Sequence, residues 1–404
     1  MSKARGNITP LEPDQSDDWT VYEKTVSEDV GYRVVSVPRI FDTNNPTLAQ
    51  DYCADDAVTG TKKRVLVIVD SYSDTIVGDV TKYFESYAPA LDNIKILPMH
   101  VASTGKDSAA VLAVIDAALA VGLSPRRDLV IAVGGGTLMD IVGFAASMYA
   151  HQGTAGGGGL PFIRIPTTLV GIIDAGVGVK VGVNQGAHKN VIGRYYAPVA
   201  CLNDPDAFLL SLPEREVACG LAEAIKMALI KSSRLFDMIE GYQAHGSLEH
   251  GLKTGYVHET IRLSIRTMLE DLQPNLHEDN LRRLVDFGHE FGHIVEALAR
   301  HELPHGECVA IGMGISSSLA HRKGILSQTE LDRILDCMLR LGLPISATMH
   351  GCCDPEVLWR KICTDGTNHK DGMLWLVVPE NIGRGTFLGH ISDIDAAMLA
   401  DVMR

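Results

Sequence analysis

Short apolar runs separated by polar turns fill the first half of the chain. YRVVSVPRIFD, VLVIVD (Val65 to Asp70), IKILPMHV, LVIAVGGG, FIRIPTTL and VACLND each carry the apolar density of strands buried in a sheet. Between IKILPMHV and LVIAVGGG, the stretch KDSAAVLAVIDAALAVGL is alanine-rich with a helical period and predicts a crossover helix. Strands alternating with helices imply a mainly parallel sheet, whose ligands sit at the carboxyl ends of the strands. After Asn203 and Asp204 the pattern changes. LPEREVACGLAEAIKMALI, SLEHGLKTGYVHETIRLSIRTMLEDL, GECVAIGMGISSSLAHRKG and ELDRILDCMLRLG are helical in period, and GMLWLVVPENIGRGTF is a last strand-like piece. The reading is a polar, flexible tail over residues 1–30, an α/β domain over 31–205 and a mainly α-helical domain over 206–404.

Composition narrows this picture. A chain of 404 residues with 46% hydrophobic residues can bury two sizeable cores. No apolar run approaches the roughly 18 residues of a membrane span, and the first residues hold no apolar segment of a secretory signal. Eight cysteines without a C-x-x-C or a disulfide-like spacing point to a reduced, cytoplasmic setting. The net charge of −14 argues against nucleic acid or an anionic membrane surface as partner. An anionic small ligand would need a local cluster of cations.

LVIAVGGGTLMDIVGFAAS joins a buried strand to a helix through Gly134, Gly135 and Gly136. Glycines there let the backbone approach a pyrophosphate, and the free N–H groups of the helix start bind its charge. Asp70, at the end of VLVIVD, could bind a ribose hydroxyl or be a solvated turn residue. The passage IPTTLVGIIDAGVGVKVGVNQGAHKN then places Thr167, Thr168, Asp174, Lys180, Lys189 and Asn190 within a short span, as the wall of a polar pocket. A glycine-rich loop or insertion, HQGTAGGGGLP, precedes it. DFGHEFGH (Asp286 to His293) is the densest chemistry. HEFGH has the zinc-peptidase spelling, with Glu290 as base, His289 and His293 as ligands and Glu302 or Glu307 as a third. A second reading joins His289 to His305 and Glu223 in a two-histidine, one-glutamate site with an open position, as in catalytic zinc centres. A third leaves the histidines merely packed in a helix. Glu223 and Lys226, three apart on one helix, can face the same cleft.

Taken in order, GGGTLMD, IPTTLVGIIDAGVGVK, HKN, LPERE with GLAEAIK, DFGHEFGH and HGECVAIGM resemble the sugar phosphate cyclases, whose best-known member is 3-dehydroquinate synthase. The likeness covers about residues 60–390. It implies an α/β Rossmann-like NAD-binding domain followed by an α-helical metal-binding domain, with the active site between them and a homodimer as the assembly. It also implies one divalent metal, Zn²⁺ or Co²⁺, on Glu223, His289 and His305. NAD would lie on Gly134, Gly135, Gly136, Asp140, Thr167, Thr168 and Ser211, with Asp70 near its ribose. Lys180, Asn190 and His293 would bind the substrate phosphate, with Lys189 beside them, and Asp174, Lys226 and Arg282 the hydroxyls and ring. Glu290 stands where the family usually has threonine, so the peptidase spelling is incidental. The implied chemistry is transient oxidation, phosphate elimination, reduction, ring opening and an intramolecular aldol closure, with NAD restored at each turnover. A related metal-dependent alcohol dehydrogenase is the competing class.

Dehydroquinate synthase holds a substrate carboxylate with a lysine and an asparagine beside its arginine. This chain has Met268 and Asp286 there. An apolar group plus an anion is a poor receptor, since like charges within about 4–6 Å cost on the order of 1 kcal/mol or more. An uncharged substrate end, a hydroxymethyl hydrogen-bonded to Asp286, fits better. Leu272, Asp286 and His369 look like the pattern of 2-epi-5-epi-valiolone synthases, which implies sedoheptulose 7-phosphate as substrate. The sister enzymes that make desmethyl-4-deoxygadusol show Glu, Ala and Thr there; dehydroquinate and 2-deoxy-scyllo-inosose synthases are the further alternatives. His151 stands where the family often has an arginine reaching across the dimer.

Overall fold

The computed structural model describes residues 7–10, 22–25, 30–54, 60–102, 105–125, 127–149, 159–186, 188–242, 247–299, 302–346, 353–368 and 370–403. The tail expected over residues 1–30 lies largely outside them; β1 (Asn7–Pro10) and β2 (Tyr22–Thr25) pair antiparallel. A six-stranded parallel sheet follows, from β3 (Arg33–Ser36), β4 (Arg64–Asp70), β5 (Asn93–Met99), β6 (Leu129–Gly134), β7 (Phe162–Pro166) and β10 (Ala200–Asn203). Between β7 and β10 the chain makes an antiparallel hairpin, β8 (Lys180–Gln185) and β9 (His188–Tyr195).

The apolar runs read as strands because both sheet faces are covered. Val65, Val67 and Val69 of β4 join one core with Tyr83 and Phe84 of α1 (Asp74–Tyr87). Leu66 and Ile68, pointing the other way, join a second core with Val111 and Val114 of α2 (Ser108–Val121) and Leu138 and Met139 of α3 (Gly136–Met148). The helices start where the sequence can cap them: Ser73 accepts from Ile76 N and Asp107 from Ala110 N. Strand order is β3-β10-β7-β6-β4-β5. The chain passes from β4 outward to β5 and returns on the other side at β6. The carboxyl ends of β4 and β6 therefore form the switch point, where a crevice opens.

The last sheet strand ends at Asn203, and helices take over at α4 (Pro205–Phe208). They continue as α5 (Glu214–Lys231), α6 (Ser233–Glu240), α7 (Leu248–Lys253), α8 (Tyr256–Leu272), α9 (His289–Leu298), α10 (His305–Arg322), α11 (Gln328–Arg340), α12 (Pro355–Asn368) and α13 (Ala396–Val402). A second hairpin, β11 (Leu376–Asn381) with β12 (Arg384–Leu388), packs on α5. α5 and α10 are buried nearly all round and form the axis of this half. Glycines let α9 and α10 approach closely. A Cβ on Gly312 would lie 1.9 Å from the Gly288 carbonyl oxygen, and one on Gly292 would lie 2.9 Å from that of Cys308. No helix among the described residues is long and apolar enough to cross a membrane.

That close approach yields a stability prediction. Gly312→Ala forces α9 and α10 apart and is expected to cost about 3 kcal/mol, a drop of several degrees in Tm. Gly78→Ala, on α1 with nothing near its Cβ position, is the control and should leave Tm unchanged or raise it. Thermal unfolding followed by circular dichroism checks both.

Candidate active site between the sheet and the helices

Three chain segments bring their polar groups to one point in the helical half. His289 is the first residue of α9, entered through Gly288 at φ 81, and His305 is the first residue of α10. Glu223 comes from the middle of α5 and is 1% exposed. One ligand-type atom from each of the three lies within 4.8 Å of the others. His289 Nδ1 donates to the Phe287 carbonyl at 3.2 Å and His305 Nδ1 to Glu296 at 3.3 Å. Both rings thus present Nε2 to Glu223 Oε1, at 3.9 and 3.4 Å. The carboxylate oxygens of Glu223 are buried without a well-aligned hydrogen bond. A buried carboxylate whose Oε1 faces two oriented imidazole nitrogens is the donor set a divalent metal takes, so these residues fit one. His293 is not in this cluster, although its ring lies 5.1 Å from that of His289.

Lys226, one turn after Glu223, reaches it at 2.7 Å and Asp174 at 3.0 Å. Asp174 sits on a π-helical turn, Gly171–Ala175, that follows β7 and packs on α5 and α8. The sheet half thereby places a carboxylate in the helical half. Burial opposes ionisation of Glu223, but Lys226 and the two histidines outweigh it and hold the carboxyl well below the usual range. For Asp174 burial wins over Lys226 and raises it. Burial also works against charge on His305, yet Glu223 and Glu296 push it up to about 9. Arg164 on β7 holds the loop after that turn: fully buried, it donates to the carbonyls of Ala175, Gly178 and Lys180 at 3.1, 2.5 and 3.2 Å.

The β8–β9 hairpin spans the joint. Lys180 pairs with Glu278, and Lys189 with Glu296. Tyr195 meets the His277 ring at 5.5 Å. Asn190 accepts from Lys106 at 2.6 Å, and Lys106 also pairs with Asp140 at 2.5 Å. Asn190 is thus tied to α3, while Lys189 reaches the histidine helix. His293 is pushed down to about 4 by burial and by His305. The positive charge beside it belongs to Lys189, which reaches Glu296 on the same helix.

At the switch point, Gly134, Gly135 and Gly136 present bare backbone at the start of α3. A Cβ on Gly134 would fall 2.7 Å from Leu138 and one on Gly136 would fall 3.2 Å from Ala175, whereas Gly135 meets nothing closer than Thr168 at 3.4 Å. Thr167 N donates to the Gly134 carbonyl at 3.1 Å, and Thr168 Oγ1 accepts from Gly171 N at 3.1 Å. Asp70 ends the neighbouring strand and accepts from Tyr72 N. Ser211 lines an open pocket with Phe41, Ser73, Ile76, Ala207 and Phe208. A cradle without side chains at a free helix N-terminus fits the pyrophosphate of a dinucleotide.

Met268 and Leu272 are buried on α8, 7% and 8% exposed. Asp286 is flanked by cations: Arg283 at 2.9 Å and Lys370 at 3.8 Å. Arg283 also pairs with Glu278 at 2.7 Å. The arginine that meets Asp286 is therefore Arg283, not Arg282, whose guanidinium stacks 4.8 Å above Trp375 and 5.2 Å from the Phe387 ring. His369 and His151 lie outside the described residues. Glu290 is bound to Lys370 at 2.9 Å, and Glu307 is bound by Arg215, so neither serves as the base or third ligand of a peptidase site. Glu302 is exposed. Sequence reasoning missed Glu296 and Lys370 as members of the site. Glu296 could have been found, because it lies seven residues after His289 and thus on the same helix face. Lys370 could not, since only the fold brings it to Asp286.

A doubly wound sheet whose switch point faces a two-histidine, one-glutamate cluster in a helical half defines a two-domain class with its chemistry at the joint. The family models for the N-terminal and C-terminal parts of 3-dehydroquinate synthase match residues 97–219 and 220–367. The 2-epi-5-epi-valiolone synthase of Streptomyces hygroscopicus subsp. jinggangensis is 38% identical over 392 residues, 95% of this chain and 90% of that one. The enzyme of the same name from Streptomyces glaucescens is 39% identical over 372 residues, 91% and 89% of the two chains. Among solved structures, ValA (2-epi-5-epi-valiolone synthase) from the former organism, with NAD⁺ and Zn²⁺ bound, superposes with a TM-score of 0.82 at 37% identity, covering 95% of this chain and 98% of ValA. The chain belongs to the 3-dehydroquinate synthase family of sugar phosphate cyclases.

The geometry predicts which side chains hold metal. Glu223→Gln, His289→Ala and His305→Ala should each lose it on dialysis, while His293→Ala should retain it. Glu296→Gln should weaken affinity roughly 10–100-fold by releasing the His305 ring. Metal content by mass spectrometry decides; loss in His293→Ala with retention in Glu223→Gln would restore the peptidase pairing.

Proposed function

We propose that this chain is an NAD- and metal-dependent cyclase that converts sedoheptulose 7-phosphate to 2-epi-5-epi-valiolone with loss of phosphate. The observation that carries it is the meeting of the Glu223, His289 and His305 cluster with the Lys226–Asp174 pair at the joint beside the glycine turn. The relatives' shared name and the NAD⁺ and Zn²⁺ in ValA support the substrate and cofactor assignment. Zn²⁺ or Co²⁺ would be held by Glu223, His289 and His305, and NAD by Gly134, Gly135, Gly136, Asp140, Thr167, Thr168, Ser211 and Asp70. When bound, the metal would supply polarisation of a substrate oxygen, and NAD a reversible acceptor for the hydride from the carbon that bears it.

The chain's own residues do the rest. Lys226 and Asp174, fixed against each other by burial, offer one donor and one acceptor to the substrate hydroxyls. Lys180 and Lys189 provide the positive charge that a departing phosphate requires, and His293 adds an N–H to it. Lys180 must leave Glu278 to do so. Asn190 acts beside them through its tie to Lys106. Arg282, stacked on Trp375, would join Lys226 and Asp174 in binding the substrate's hydroxyls and ring. Asp286, between Arg283 and Lys370 and near buried Met268 and Leu272, accepts from an uncharged hydroxymethyl end. An alcohol dehydrogenase has no use for this set of lysines, which favours the cyclase. A homodimer in a cytoplasmic setting completes the reading; β9 leaves Val191, Ile192 and Tyr195 exposed, which suits a partner subunit.

Incubation with sedoheptulose 7-phosphate and catalytic NAD⁺ should release one phosphate per turnover with no accumulating NADH, and NMR should identify 2-epi-5-epi-valiolone. Stoichiometric NADH would make the protein a dehydrogenase. A main product of desmethyl-4-deoxygadusol, or turnover of glucose 6-phosphate, would overturn the substrate assignment. Asp286→Ala with Leu272→Glu should lower valiolone formation, each contact being worth roughly 1–3 kcal/mol.

A further inference from the structure

Beside Asp286 lies a buried ion pair that the reaction just described does not use. Glu290 follows His289 on α9, and its side chain is only 3% exposed. Its Oε1 binds Lys370 Nζ at 2.9 Å, while Oε2 is buried with no hydrogen-bond partner. Lys370 is 14% exposed, its ammonium also lies 3.5 Å from the Trp375 carbonyl, and it stops 3.8 Å short of Asp286 Oδ2. The other Asp286 oxygen is held by Arg283, which is shared with Glu278. A lysine so close to one carboxylate but seated on another is being held back. A half-satisfied buried carboxylate such as Glu290 has every reason to keep its one cation, because losing it leaves a charge in a low-dielectric site.

We propose that Glu290 is a specificity-determining residue that sequesters Lys370. This rests on the cyclase reading and deepens it. With Lys370 seated on Glu290, Asp286 keeps an oxygen open to accept from a hydroxymethyl group. A substrate bearing a carboxylate at that end meets Asp286 with Lys370 already engaged, and is rejected. Released from Glu290, Lys370 moves onto Asp286 or onto an incoming carboxylate. Exclusion of acidic substrates is thus a property of where one lysine is anchored, and Asp286 alone does not carry it. Met268 removes the other cation a carboxylate could have used.

The test compares turnover of sedoheptulose 7-phosphate with that of the carboxylated heptulosonate 7-phosphate from which dehydroquinate is made. Wild-type turnover of the former establishes the cyclase reading by itself, so its failure is distinguishable from failure of this proposal. Glu290→Gln should then shift the ratio of kcat/KM about 10-fold or more toward the carboxylated substrate, chiefly through KM, with metal content unchanged. In the Glu290→Gln, Lys370→Gln double variant that gain should vanish, an outcome that a general loosening of the fold would not produce. An unchanged ratio in Glu290→Gln, or a gain that survives Lys370→Gln, overturns the proposal. Should Glu290→Gln not fold, Asp286→Asn carries the test. With Lys370 still on Glu290 it should gain no more than about 3-fold for the carboxylated substrate, and a full switch from that variant alone overturns the proposal.

Discussion

Glu223 lies at 1% exposure in the middle of an 18-residue helix, and a carboxylate there is untenable unless something positive faces it. Lys226 answers from the next turn, and the starts of α9 and α10, the positive ends of their dipoles, aim His289 and His305 at the same oxygen. Removing one partner from such a buried pair typically costs about 3–5 kcal/mol. The close glycine contacts of α9 with α10 follow from the same need, because histidines on helices held further apart would miss Glu223. A site built for a cation and a core built for density are here one requirement.

The two halves of the molecule are joined by charges as well as by apolar packing of the turn after β7 into the helical core. The sheet's strands feed two cores that do not include the helical half, while the turn after β7 contributes Ile172, Ile173 and Asp174 to the helical side. Two lysines of the β8–β9 hairpin cross to Glu278 and Glu296. Partly exposed ion pairs are worth little each and exchange partners readily. They suit a joint whose lysines stay free to exchange partners. Arg164, by contrast, is fully buried and bonded to backbone, and fixes the segment from Ala175 to Lys180 as a rigid arm.

Much of this was legible in the sequence. The apolar runs mark the strands of the parallel sheet and the passage to helices near residue 205, and the central strands β4, β6 and β7, covered on both faces, are apolar nearly throughout. The glycine turn, the π-turn acid and the histidine helix carry chemistry that depends on residue type at short spacing, and such spacing is visible without coordinates. HEFGH shows the limit of that visibility: a helix places both histidines on one face, but a ligand set needs a third group, and the pattern cannot say which of several glutamates supplies it. The ordered motifs resolved the choice toward Glu223 and His305, and the structure brings those groups together.

The sequence by itself determined the elements, their order, the family and the ligand-type residues, because these follow from local period, local chemistry and ordered motifs. Only the tertiary structure decided which cation meets which carboxylate. Arg283 rather than Arg282 reaches Asp286 because a single residue of rotation sends the neighbouring guanidinium onto Trp375 and Phe387. Lys370 reaches Glu290 across 80 residues of sequence, and Lys189 reaches Glu296 from the β8–β9 hairpin. Ionic partners are chosen by distance and desolvation, and both are properties of the folded chain alone.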